Sequence, residues 1–347
     1  MSQNTNIIST AIETPILKSS QLDLGYGNGK KQHLVAENMN FELQTGKLTC
    51  LLGPNGVGKS TLIKTIMGQN PPLSGDIFLE GKPIQAFHQK KLAKKIAVVL
   101  TEKITTGNLT VSQLVALGRI PHTGWLGSLS NADKSKVQNA ILATHISYLK
   151  NQRLSELSDG QLQKVMIARA LAQDGEILIL DEPTAHLDLI NRFEIMHLLR
   201  DIALKEKKAV LVVTHDLDIA IETADVFWLM QCGKPLVCGS PEDLILDNQI
   251  NLLLPTEKLS FNKMNGKIQE SKEFKYPKIE GPDEITNWLK LALRKNDITS
   301  LPENISISVD QNTREFILND GMGKFGFIQV EKLVAKLKAL QGLNIEI

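Results

Sequence analysis

Cysteine is scarce in this chain of 347 residues, with only Cys50, Cys232 and Cys238, too few and too scattered for a disulfide framework. Cys232 and Cys238 have neither CxxC spacing nor histidine neighbours, so a zinc or redox pair is not expected, and packing around a strand is. Net charge is also missing: 39 basic residues meet 38 acidic ones, and no local basic patch replaces the absent global field, so no nucleic-acid role is expected. No apolar run approaches the ~18 residues needed to cross a bilayer. The first thirteen residues are polar, with no basic start, apolar segment or small-residue cleavage site, and give no sign of export. A role at a membrane would have to run through a partner. The length leaves room for one large domain and a small one.

Short β-branched apolar runs at residues 48–52, 96–100, 176–180 and 209–214 are separated by helical patterns. Continuous apolar strands alternating with helices predict an α/β layer with a mostly parallel sheet. Residues 16–43 are turn-rich and alternating, as in a small antiparallel layer. Between 102 and 172 the strand signal gives way to three helical patterns. Thr110 caps the first, the second runs from about Ala132 to Lys150, and the third starts at Ser158. Residues 256–275, rich in Lys, Glu, Asn and Ser, read as a linker. Residues 276–347 then read as a small accessory α+β domain in the order helix, strand, strand, helix. Ile285, Leu289 and Leu293 lie on one helix face with Trp288, which is expected in its core.

Gly53-Pro54-Asn55-Gly56-Val57-Gly58-Lys59-Ser60 fits the phosphate-loop pattern, with a strand before it and a helix after it. The glycines let the backbone wrap a phosphate, Lys59 brings a compact positive charge to the β and γ groups, and the Ser60 hydroxyl is a ligand for Mg²⁺. Thr61 reaches the α-phosphate. The apolar run at 176–180 ends in two carboxylates. Asp181 is expected to hold Mg²⁺ through water and Glu182 to polarise a water attacking the γ-phosphate. A parallel case is His215, delivered by the run at 209–214 and expected to contact the γ-phosphate. A second anion-binding sequence lies far downstream, at Leu157-Ser158-Asp159-Gly160-Gln161. There Ser158 caps a helix whose N-terminus presents partial positive charge. Two half-sites in one chain suggest a site shared between two chains.

Together and in this order, the phosphate loop, residues 157–161, Asp181-Glu182, Ala185-His186-Leu187-Asp188 and His215 resemble the ATP-binding subunit of an ABC transporter, over roughly residues 16–250. The resemblance implies a P-loop NTPase fold, ATP and Mg²⁺ as cofactors, and a head-to-tail homodimer. In that dimer Ser158, Gly160 and Gln161 of one chain meet the γ-phosphate held by the other, and Asp188 lies where the two sites communicate. It also implies that Tyr26 stacks on adenine. Two positions depart from the family. Asp159 replaces the commoner second glycine of the signature, and Thr101 stands where a glutamine usually contacts the metal. Either Thr101 reaches Mg²⁺ through a water, or Glu102 substitutes for it. Residues 117–125, Leu-Gly-Arg-Ile-Pro-His-Thr-Gly-Trp, are similar to a stretch in importers of ferric siderophores, haem and cobalamin. That likeness implies integral membrane permease subunits as partners, a substrate-binding protein served indirectly, and a place at the cytoplasmic face of the inner membrane. A zinc or manganese importer and a soluble ABC ATPase without permeases are the alternatives.

Overall fold

The structure, a computed structural model, describes residues 14–26, 33–100, 108–124, 127–254, 256, 258–271, 274–298, 301, 304–310 and 313–342. Contacts divide the chain into two compact units, meeting in sequence between Gln269 and Glu270.

The first unit opens with β1 (Leu17–Tyr26), β2 (His33–Met39) and β3 (Glu42–Leu43), then β4 (Leu48–Leu52), the phosphate loop and α1 (Lys59–Ile66). Next come β5 (Ser74–Leu79), β6 (Lys82–Pro83), α2 (Gln89–Lys95) and β7 (Ile96–Val99). In the antiparallel layer β1 pairs with β2, β3 and β5, and β5 pairs with β6. The alternation over residues 16–43 anticipated that layer but not the later hairpin that completes it.

Three helices follow, α3 (Val111–Leu117), α4 (Asn131–Ala143) and α5 (Asp159–Ala172), with Thr110, Ser130 and Ser158 as capping-box N-caps. The second helix was expected to reach Lys150, but α4 stops at Ala143. The Thr144 hydroxyl bonds back to Ala140 O, and His145 takes a left-handed φ of 58°, which ends the helix before a separate short 3₁₀ turn.

Strands β8 (Ile177–Asp181), β9 (Ala209–Val213), β10 (Val226–Leu229) and β11 (Val237–Gly239) alternate with α6 (Leu189–Lys205), α7 (Leu217–Thr223) and, after β11, α8 (Pro241–Leu246). They join β4 and β7 in a six-stranded sheet ordered β11-β10-β4-β9-β8-β7, parallel except for β11. Its central strands are apolar on both faces because both faces are covered. Leu48, Cys50, Leu178, Leu180, Val210 and Val212 pack into the helical cluster, while Leu51, Ile177, Ile179, Leu211 and Val213 pack against the antiparallel layer and α1. Because β4, β9 and β8 are neighbours and run parallel, the loops leaving their carboxyl ends lie side by side, where ligands bind in open α/β sheets.

The stretch expected to be a linker instead begins with a hairpin, β12 (Leu259–Asn262) and β13 (Lys267–Glu270). Phe261 is buried in the helical cluster and its N–H donates to Asn251 Oδ1 at 2.8 Å. Two four-residue strands with one apolar anchor are too short to leave a periodic signal.

In the second unit β14 (Lys278–Glu280), α9 (Asp283–Lys295) and β15 (Ser306–Val309) form a parallel β-helix-β unit. Antiparallel β16 (Phe316–Asn319) and β17 (Lys324–Phe327) and then α10 (Val330–Gly342) complete it. Two edge strands thus flank the expected pair. Leu289, Leu293, Ile307, Leu318, Leu333 and Leu337 form the core, but Trp288 is 66% exposed rather than buried. Leu289 and Leu293 already fill that face of α9 with aliphatic side chains.

Candidate active site

The loop after β4 turns on Gly56 and Gly58, at φ of 80° and 110°, and Gly58 immediately precedes the first residue of α1. A Cβ on Gly58 would lie 2.2 Å from Val35 Cγ1, so both the backbone angle and the packing require glycine there. Lys59 is buried, and its ammonium donates to Gly53 O at 2.7 Å and Pro54 O at 3.0 Å, folding the side chain back beneath its own loop. Burial pushes its pKa down, an effect opposed by the charges of Glu182 and Asp181.

A cavity of about 260 Å³ is lined by Asn55, Gly56, Gly58, Lys59, Ser60, Thr61, Asp181 and Glu182. Residues 120 positions apart in sequence are joined there because β8 ends at Asp181 in register with Val213, one strand away from β4. Burial raises the pKa of Asp181, the charge of Glu182 raises it further, and Lys59 offsets part of the effect. The N–H of Glu182 donates to Val213 O at 2.9 Å, but its own φ is 48°, a left-handed angle uncommon for glutamate. Its carboxylate Oε2 lies 3.1 Å from His215 Nδ1. The loops after β4, β8 and β9 therefore meet at one place, as the sequence predicts for Lys59, Asp181, Glu182 and His215.

The residues of the downstream half-site assemble elsewhere and do not line this cavity. Ser158 Oγ accepts from Gln161 N at 3.3 Å while Gln161 Oε1 accepts from Ser158 N at 3.0 Å, a closed capping box on the exposed start of α5. Asp188 caps α6, accepting from Asn191 N and Asn191 Nδ2, each at 2.8 Å. These bonds hold its carboxyl below the usual range. Gly160 ties the two helix starts together, because a Cβ on it would sit 2.4 Å from Asn191 Oδ1. Within one chain, a larger residue at 160 would push the Asn191 side chain aside.

Tyr26 does not line the cavity. It is 57% exposed at the end of β1 and stacks on His33 at 4.9 Å between ring centroids. Thr101 and Glu102, like Trp125, lie outside the described residues. In the 117–125 stretch, Arg119 and His122 turn inward: Arg119 Nε donates to Asp133 Oδ1 at 2.9 Å and Nη1 to Ala172 O at 2.8 Å, and His122 Nε2 lies 2.8 Å from Gln173 O.

Sequence reading missed the supports of His215. Asp216 accepts from Thr184 Oγ1 at 2.7 Å and from Arg192 Nη1 at 3.3 Å, and Arg192 Nε also donates to Leu187 O at 2.8 Å. The available signals were the adjacency of Asp216 to His215 and the i+4 spacing of Arg192 from Asp188.

The site fits ATP. A helix N-terminus, two left-handed glycines and a buried ammonium offer positive charge to an anion, and the carboxylates of Asp181 and Glu182 line the same cavity. The ABC transporter family model matches residues 36–185. An uncharacterized ABC transporter ATP-binding protein of Methanocaldococcus jannaschii is 40% identical over 251 residues, 72% of this chain and 85% of that protein. The ferric enterobactin transport ATP-binding protein FepC of Escherichia coli is 36% identical over 229 residues, 66% of this chain and 83% of its own. Among solved structures, a bacterial ABC transporter cassette in dimeric form superposes with a TM-score of 0.53 at 25% identity, covering 65% of this chain and 98% of that one. The chain belongs to the ABC transporter family of ATP-binding proteins, P-loop ATPases whose hydrolysis of ATP powers transport.

Proposed function

We propose that this chain is the ATP-hydrolysing subunit of an importer of an iron chelate, haem or cobalamin, acting as a head-to-tail homodimer against integral membrane permease subunits. The carrying observation is the division of the site. Lys59, Asp181 and Glu182 line one cavity with His215 against Glu182, while Ser158 and Asp188, both exposed, and the buried Gly160 take no part in lining it. An ATP phosphate held by the first set is enclosed only when a second chain brings its Ser158 turn. Closure therefore requires nucleotide, and hydrolysis releases it. The dimeric cassette and the enterobactin-transport relative support this reading.

Within the cavity, backbone N–H groups of the loop and the α1 N-terminus bind the phosphates, and Lys59 neutralises the β and γ oxygens. Glu182 takes the proton of the attacking water, with His215 Nδ1 3.1 Å away holding its carboxylate in place. Ser60 and Asp181 offer oxygens to Mg²⁺, which when bound supplies charge neutralisation across the phosphates. We assign the role of adenine contact to Tyr26.

The 117–125 stretch supports a permease contact. With Arg119 and His122 turned inward, Leu117 and Ile120 are left 44% and 61% exposed. No helix among the described residues is long and apolar enough to cross a membrane, so the cytoplasmic membrane face would be reached through those permeases, with the substrate-binding protein engaged only indirectly. Glu182→Gln, which keeps the shape of the site but removes the base, is expected to accumulate with ATP as a stable dimer on size-exclusion chromatography. A variant that stays monomeric at high ATP counts against the shared site.

A further inference from the structure

Consecutive side chains at the start of α6 grip the two parts of the divided site. Arg192 holds the cavity side: its guanidinium donates to Leu187 O and to Asp216 Oδ1. That same Asp216 oxygen lies 3.9 Å from His215 Nε2, and the other accepts from Thr184, two residues beyond Glu182. Asn191 holds the lent side. Its Nδ2 donates to Asp188 Oδ2, and its Oδ1 fills the space beside Gly160 that a Cβ would need. The two residues belong to one helical turn, closed by Asn191 N to Asp188 Oδ1 at 2.8 Å and Arg192 N to Asp188 O at 3.0 Å.

We propose that Asn191 and Arg192 are positioning residues that make the first turn of α6 a strap between the chain's own ATP cavity and the signature turn it lends to its partner. This rests on the shared-site reading. In the dimer, His215 of a chain serves one ATP and its Ser158 serves the other. A displacement of His215 and Asp216 on loss of the γ-phosphate pulls on Arg192, and the rigid turn carries that displacement through Asn191 to Gly160 and Ser158. A side chain that merely capped α6 would need no contact with Gly160, and one that merely buttressed His215 would need none with Leu187.

The test is the cooperativity of ATP hydrolysis by the full chain. With two coupled sites the Hill coefficient of the parent is expected near the number of sites, about 2. Asn191→Ala and Arg192→Gln, each cutting the strap at a different end, are expected to bring it toward about 1, while the affinity of the dilute, monomeric chain for a fluorescent ATP analogue stays within about two-fold. The double variant is expected to fall no further than either single one, because both cut one link. Arg192→Lys, which keeps the charge toward Asp216, is expected to restore part of the coefficient. If the variants lose rate but keep the parent coefficient, or if the double variant is additive, the strap is overturned and the contacts are only structural. Should one variant fail to fold, the other cuts the same link. A parent coefficient already near 1 beside a Glu182→Gln form that dimerises with ATP removes the strap and leaves the shared site standing. A Glu182→Gln form that stays monomeric removes both.

Discussion

Asp181 carries an electrostatic cost to the stability of the fold. Burial and the neighbouring Glu182 raise its pKa above 3.8, so the folded chain holds this proton more tightly than the unfolded chain does. Below the unfolded pKa the group is neutral in both states and costs nothing. As pH rises from the unfolded pKa to the folded one the cost accumulates, and above the folded pKa it is fully present. Asp181→Asn is therefore expected to raise the melting temperature of the nucleotide-free chain while abolishing ATPase activity. An unchanged midpoint in a thermal scan would mean that Lys59 already offsets the cost in full. Asp181 and Glu182 were legible in sequence because they stand where an apolar strand ends, and Lys59 because it closes the Gly-rich phosphate-loop pattern ahead of α1. Asp216 and Arg192 left only the faint signs of their adjacency to His215 and spacing from Asp188, because the contact that joins them spans 24 residues.

At the scale of elements, the helical part between β7 and β8 is knitted by one buried ion pair. Arg119 follows α3, Asp133 sits in the first turn of α4, and Arg119 also caps Ala172 O at the end of α5. Ser130 donates to the Asp133 carboxylate and Arg119 adds its charge, which together lower its pKa from 3.8 to about 2. A depressed carboxylate stabilises the fold above the unfolded pKa and stops doing so as pH falls through the folded one. Asp133→Asn is accordingly expected to be less stable than the parent at pH 7, with the gap closing between about pH 4 and pH 2. Urea midpoints across that range measure it, and a gap that persists unchanged at pH 2 would show that packing rather than charge is lost. The helix starts at Thr110 and Ser158 were readable from their capping residues, while the Ser130 cap of α4 emerged only in the structure. The early end of α4 was not, because it depends on the left-handed turn at His145.

For the molecule as a whole, the boundary between the two units has a measurable consequence. The β12–β13 hairpin belongs to the first unit, since Phe261 is buried in its core and its N–H is held by Asn251. Truncation after Leu254 removes that aromatic and is expected to cost several kcal/mol, roughly 3–5 by comparison with large-to-small core changes, seen as a lowered melting temperature. Truncation after Ser271 keeps the hairpin and is expected to leave the melting of the first unit close to that of the parent. Equal melting of the two truncated chains would mean that the hairpin adds nothing to the core.

By itself the sequence determined the chemistry and the order of the main elements. Phosphate loops, strand-end carboxylates and helix caps are local patterns, set by backbone angles and hydrogen bonds within a few residues. Only the tertiary structure decided which of these patterns share a cavity and which stand apart. That choice follows from strand order, β4 beside β9 beside β8, and from side chains such as Asn191 beside Gly160 and Arg192 on Asp216 that reach loops distant in the chain. The same reason explains the hairpin at 259–270 and the exposed Trp288: burial belongs to the packed molecule, and a short or singly anchored segment carries no local sign of it.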